Sequence, residues 1–169
     1  YRESYDSLVL SPGAEPIVPP IDGIESVDDV FTVWSIPDAE VVKERVGDEE
    51  VGRALVVGGG FVGLEMAESL REQGLEVTLV EMLDQVLPVL DGEMAAMLQN
   101  HLRNKEIDLR LEREVVEFDQ DEGSPVALLD DGVEIETDLV VLAVGIKPNT
   151  DLAEKAGLRT GDSGAIKVD

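Results

Sequence analysis

The order of apolar runs predicts an α/β fold: a parallel sheet with helices on both faces, joined late in the chain by a three-stranded antiparallel β-meander. Three observations carry that expectation. An apolar strand over 54–57 runs straight into Gly58-Gly59-Gly60-Phe61-Val62-Gly63 and a helix. A second β-rich run, Glu76-Val77-Thr78-Leu79-Val80, follows that helix and ends in Glu81. Further on, three short runs at 115–118, 126–129 and 133–136 are separated by Asp121-Glu122-Gly123 and Asp130-Asp131-Gly132, and Asp-Gly is a hairpin signal.

The elements follow in order. Ser7-Leu8-Val9-Leu10 reads as a buried strand ending in Ser11-Pro12-Gly13-Ala14. Residues 16–21 hold too much proline for a helix or a central strand and read as an extended connector. Residues 30–34 form a short extended segment, with Trp34 expected in the core. Pro37 and Asp38 start a helix over 38–46 in which Val41, Val42 and Val46 share one face. An acidic turn over 47–52 leads to the first strand of the sheet. The helix after the glycines covers 62–73, directs Leu64, Ala67 and Leu70 to the sheet, and stops at Gly74. A loop over 82–90 contains Pro88. Asp91 caps a helix over 92–104 whose inner stripe is expected to be Met94, Met97, Leu98 and Leu102. His101 is expected at its solvated edge. Residues 107–111 make a third strand, and the meander follows. The apolar run 139–144 suits a parallel strand buried on both faces. Gly145-Ile146-Lys147-Pro148-Asn149-Thr150 turns the chain, with Asn149, Thr150 and Asp151 as turn and cap residues. A short helix over 152–156 and a last strand over 165–169 complete it.

The glycines have separable roles. Gly58 permits the tight turn, Gly60 has no Cβ to obstruct a pyrophosphate, and Gly63 lets the helix pack close to the strand. Free N–H groups and the positive dipole end of the helix then face phosphate. Glu81 lies 18 residues past Gly63, where a dinucleotide fingerprint wants a carboxylate for ribose hydroxyls. Its charge repels a 2′-phosphate, and no Lys or Arg lies within 82–90 to bind one, so NADH is expected over NADPH. Val144 and Gly145 end a buried strand, where open α/β sheets bind ligands. The candidate cofactor contacts are therefore Gly58, Gly59, Gly60, Val62, Gly63, Glu81, Met82, Val144 and Gly145, with no catalytic and no metal residue.

Composition narrows the classes. The 169 residues suffice for one domain with a core made mostly of Val, Leu, Ile, Ala and Met. The net charge of −25 repels nucleic acid and anionic membrane, and opposes a dinucleotide at long range. Any nucleotide site must then work through local backbone N–H groups, with salt screening the repulsion beyond roughly 10 Å. A soluble surface explains this acidity, and a salt-rich cytoplasm is an alternative. There is no cysteine, hence no disulfide, thiolate metal site or redox thiol in this chain. A single histidine argues against a His-based metal site or a Ser-His-Asp triad. No apolar run reaches membrane-span length and no signal peptide opens the sequence, so a cytoplasmic address is expected.

Four segments together resemble the NAD(H)-binding domain of FAD-dependent pyridine nucleotide-disulfide oxidoreductases, in the branch of coenzyme A-disulfide reductases and NADH oxidases. They are Leu8-Val9-Leu10-Ser11-Pro12-Gly13-Ala14-Glu15-Pro16, Val57-Gly58-Gly59-Gly60-Phe61-Val62-Gly63-Leu64-Glu65-Met66-Ala67, Leu79-Val80-Glu81 and Ala143-Val144-Gly145-Ile146-Lys147-Pro148-Asn149-Thr150. The resemblance implies a Rossmann-like sheet of the FAD/NAD(P)-binding type. It implies residues 1–24 as connector and remnant of a split FAD domain, and 25–169 as the NAD(H)-binding domain. It also implies Phe61 beside the nicotinamide pocket and Glu65 facing the nicotinamide and flavin edge. The parent would be a homodimeric enzyme passing a hydride from NADH to FAD, with the flavin held by a domain outside this chain. The fragment alone is expected not to turn over. The rival class is a non-enzymatic dinucleotide-sensing domain, which has no reason to carry the Ser11-Pro12-Gly13-Ala14 connector or the meander. A second rival, FAD held by these glycines, predicts a yellow protein.

Overall fold

The computed structural model describes residues 2–121 and 123–168. Tyr1, Glu122 of the expected hairpin and Asp169 of the expected last strand lie outside the described residues. In chain order the elements are β1 (Ala14–Pro16), a 3-10 turn (Ile24–Ser26), β2 (Val30–Thr32), α1 (Ile36–Val46), β3 (Arg53–Val57), α2 (Phe61–Glu72), β4 (Glu76–Glu81), α3 (Gly92–Asn104), β5 (Asp108–Leu111), β6 (Val115–Asp121), β7 (Ser124–Leu129), β8 (Glu134–Glu136), β9 (Leu139–Leu142), β10 (Ile146–Pro148) and α4 (Asp151–Lys155). They group as two units: residues 16–145, and the terminal segments 1–15 with 146–169.

The larger unit is built on a five-stranded sheet of order β2-β9-β3-β4-β5, with every pairing parallel. Strand alternation decides which layer each side chain joins. Ala54 and Val56 of β3 pack with Ala67 and Leu70 of α2 and Leu102 of α3. Leu55 and Val57 pack with Val115, Phe118, Ala127 and Leu129 of the meander. Both faces are therefore dry, which is why β3 and β9 are continuous apolar runs. Burial of each such Val or Leu contributes roughly 1.5–3 kcal/mol. The expected parallel sheet and meander are both present. The second face, expected to carry helices, is covered by β6-β7-β8 instead. The meander turns carry Gly123 at φ 95° and Gly132 at φ 83°, a conformation that strains other residues.

At the amino end of the sheet Asp138 acts as a clamp. It accepts the N–H groups of Gly52 (2.9 Å) and Arg53 (2.8 Å), and the Arg53 Nη2 (2.9 Å), while Glu136 takes Nη1 (2.9 Å). Burial pushes the Asp138 carboxyl up, but the Arg53 guanidinium and the two amides outweigh it and hold the group below its ordinary value.

Several expectations for this unit need correction. Trp34 is 52% exposed rather than in the core. The strand ends at Thr32, and Asp38, in a capping box with Ser35, draws the Trp34 and Ser35 amides into the start of α1. On α1, Val42 is buried and Val46 packs on the core, whereas Val41 is exposed. On α3 the inner face is Ala95, Leu98, Gln99 and Leu102; Met94 and Met97 face outward, Met97 at 68% exposure. The stripe is rotated by one residue because small Ala95 lets the helix seat against the sheet. Asp91 occupies the N-cap position, yet its side chain makes no cap hydrogen bond.

In the smaller unit β1 and β10 form a two-stranded sheet. Asn149 donates its backbone N–H to Gly13 O (3.0 Å) and its Nδ2 to Pro12 O (3.2 Å). Both bonds tie Asn149 to the chain just ahead of β1, so it extends the β1–β10 pairing rather than closing the expected turn. Thr150 stands at the N-cap of α4 without a side-chain cap bond. Residues 7–10 are not a buried strand: Leu8 and Val9 are exposed, and the strand forms at Ala14–Pro16. The described part of the expected last strand is reduced to one isolated bridge, Thr160 with Ile166.

Candidate functional site

The carboxyl ends of β3, β4, β5 and β9 surround a cleft of about 410 Å³, within the larger unit. It lies where the chain order of the sheet reverses, β3 being flanked by β4 on one side and β9 on the other. Open α/β sheets bind ligands at such a switch point.

The glycine turn forms one wall. Gly58 sits at φ 107°, and a Cβ there would stand 2.5 Å from the Ala143 carbonyl oxygen. A Cβ at Gly63 would collide with the Gly58 carbonyl oxygen, so the close contact of α2 with β3 requires glycine. At Gly60 the reverse holds: a Cβ would meet nothing within 4 Å. Space is therefore open at the one glycine that the fingerprint reserves for a pyrophosphate. Gly60 is the N-cap of α2, and the first-turn N–H groups of that helix have no intrahelical acceptor. Open space, free donors and a positive dipole end fit a diphosphate.

Glu81 closes the turn from beneath. Its Oε2 accepts the Gly59 N–H at 2.6 Å, and its Oε1 accepts the Leu83 N–H at 2.8 Å. The Gly59 carbonyl accepts the Leu87 N–H at 2.9 Å. Glu81 is only 8% exposed, and among the described residues no cation forms an ion pair with it. A buried carboxylate without a cation is costly, and the two amides offset that cost. Each carboxylate oxygen retains a lone pair that can take a further donor.

The candidate residues do not all meet at one place. Gly58, Gly60, Glu81, Met82, Val144 and Gly145 line the cleft. Gly59 and Gly63 are buried behind it, and Val62 is exposed on the first turn of α2. Phe61 (69% exposed) and Glu65 line a separate groove of about 270 Å³ between α2 and α3, together with His101 and Lys105. His101 is exposed, as expected. The sequence reading missed Pro19 and Ile21 of the connector, and Arg113, Glu114 and Val115 after β5. The Arg113 backbone N–H donates to the Glu81 carbonyl oxygen at 3.1 Å. A parallel strand ending at Leu111 was the available signal, since its carboxyl end must open on the same crevice.

A glycine turn between a buried parallel strand and a helix, with an acid at the next strand tip, defines the nucleotide-binding class of α/β domains. Within that class the chain belongs to the pyridine nucleotide-disulphide oxidoreductase family, which it matches over residues 2–169. The NADH oxidase of Methanocaldococcus jannaschii is 39% identical over 162 residues, covering 95% of this chain and 36% of that protein. The structure of reduced CoADR-RHD from Bacillus anthracis superposes with a TM-score of 0.93 at 46% identity, covering 100% of this chain and 30% of that one. The water-forming NADH oxidase of Lactobacillus brevis, solved bound to NADH, gives a TM-score of 0.87 at 33% identity, covering 96% and 35%. The chain thus spans about a third of the length of these relatives.

Proposed function

We propose that this chain is the NADH-binding domain of an FAD-dependent disulfide oxidoreductase of the coenzyme A-disulfide reductase and NADH oxidase kind. Residues 25–169 form that domain and 1–24 its connector. The observation that carries the reading is the contrast among the glycines: Gly58 and Gly63 are filled in by backbone, while Gly60 faces open space beside the free amides of α2. The names of the relatives support the nucleotide.

In this reading the Gly60, Phe61 and Val62 amides hold the diphosphate, and Glu81 accepts from the adenosine ribose. Gly59 does not meet the phosphate, because its N–H is already taken by Glu81. Val144 and Gly145 bound the nicotinamide side of the cleft, and Phe61 and Glu65 mark the face of α2 toward which flavin would lie. When bound, the reduced nicotinamide supplies the hydride, and an FAD held by another domain receives it. The chain's own part is to orient and shield, so without flavin it turns over nothing. The parent is a cytoplasmic homodimer in this reading. Among the described residues no helix is long and apolar enough to cross a membrane.

Calorimetric titration of the intact protein with NADH tests the proposal. Binding at micromolar to low-millimolar NADH, lost in a Gly60→Val variant that melts normally, is the expected result. No heat at saturating NADH, or equal binding by Gly60→Val, would overturn it.

A further inference from the structure

The loop 82–90 holds no Lys or Arg, yet the fold brings a cation to the adenosine end of the cleft from elsewhere. Arg113, just beyond β5, is the one cation among the described residues that line it; the acids Glu81 and Glu114 line it too. Its backbone is bonded to Glu81, so its side chain starts next to the acid expected to choose between a bare ribose and a 2′-phosphorylated one. Its guanidinium does not stand free. Arg113 Nε donates to Asp131 Oδ2 at 2.6 Å, and Nη1 donates to the Glu112 carbonyl. Asp131 lies in the turn between β7 and β8, outside the cleft, and its Oδ1 accepts the Val133 N–H at 3.1 Å. That turn bond first, and Arg113 after it, hold the Asp131 carboxyl below its ordinary value, so the partner is fully charged at neutral pH.

We propose that Arg113 is the 2′-phosphate-sensing residue of this cleft, and that Asp131 restrains it and so keeps the site selective for NADH. The inference rests on the reading of the cleft as a dinucleotide site. A 2′-phosphate brings close to two negative charges to a cleft already walled by Glu81 and Glu114. The one counter-charge among the described lining residues is spent on Asp131. Arg is suited to phosphate because its planar fork presents several N–H donors at once. Two donors are in use here, and release from Asp131 frees the Nε edge, one side of that fork, for a phosphate oxygen. Both side chains of the pair are a third or so exposed, so the pair is held weakly and can exchange partners. Selectivity in this account has two parts: Glu81 repels the 2′-phosphate, and the cation that would compensate is occupied.

The test is equilibrium binding to the intact protein, with NADH, NADPH, ADP and 2′,5′-ADP as probes, so that the adenosine end is read without chemistry. Asp131→Asn keeps an oxygen for the Val133 amide and removes the charge that holds Arg113. It is expected to raise the NADPH-to-NADH and 2′,5′-ADP-to-ADP affinity ratios by about tenfold, the worth of one charge-assisted hydrogen bond. Asp131→Glu should restore the wild-type ratios. Arg113→Gln should lower both ratios and cancel the gain of Asp131→Asn in the double variant. Unchanged ratios in Asp131→Asn, with NADH still bound, would overturn the inference and leave the dinucleotide reading standing. A gain that survives Arg113→Gln would overturn it as well. Failure of the wild-type protein to bind either dinucleotide would overturn both.

Discussion

Glu81 and Asp138 perform the same task at opposite ends of one sheet, in opposite electrical settings. Each carboxylate accepts two backbone N–H groups and so fixes the chain at a strand end. Asp138 also binds the guanidinium of Arg53, which stabilises its charge. Glu81 is more buried and lacks a cation among the described residues. The paired acid closes the end of the sheet opposite the cleft described above. The unpaired acid sits under the glycine turn, at the cleft. Within this sheet, the lack of a counter-ion separates the cleft-end carboxylate from the one at the far end, which the carboxylate alone does not.

The largest effect is expected at the turn that Glu81 serves. Gly63→Ala forces a methyl group into the Gly58 carbonyl, so about 3 kcal/mol of stability and all measurable NADH binding should be lost, read by denaturant melt and titration. Asp138→Ala comes next. It strands the Gly52 and Arg53 amides and the Arg53 guanidinium, and should cost about 2–3 kcal/mol while NADH affinity stays within about twofold. Glu81→Ala reverses that pattern. Two amides lose their acceptor, but an unpaired buried charge is removed as well, so the net loss should be nearer 1 kcal/mol. NADH affinity should fall by tenfold or more, in line with one lost charged hydrogen bond and a loosened turn. A larger stability loss than for Asp138→Ala would refute the contrast.

The smallest effect is in pH. The Asp138 carboxyl is depressed in the folded chain, so its contribution is complete above the ordinary Asp value of about 4 and fades as pH falls through the lower folded value. Asp138→Asn should flatten the acid limb of the stability curve in that window. An acid limb identical to wild type would show that Asp138 carries none of it.

Much of this was legible because the signals are local. The glycine spacing, the apolar runs of β3 and β9 and the Asp-Gly turns each dictate structure within a few residues. What escaped depends on distant partners. The face of α3 was misjudged by one position because Met94 and Met97 look apolar, while the sheet accepts Ala95. Residues 7–10 have strand composition, but composition cannot show whether a partner strand exists. Arg113 could not be linked to Glu81 by spacing, since β5 alone brings them together. The two bonds of Glu81 to Gly59 and Leu83 also lay beyond reach, because the fingerprint assigns that acid to the ligand and says nothing of the protein.

The peptide planes on either side of Gly59 are pinned from opposite directions, one by a carboxylate and the other by the Leu87 amide. A residue so held cannot undergo the crankshaft rotation that glycine-rich turns otherwise permit. The mould is set when the chain folds, so under the proposed function a dinucleotide would have no loop to arrest and would meet donors already aimed.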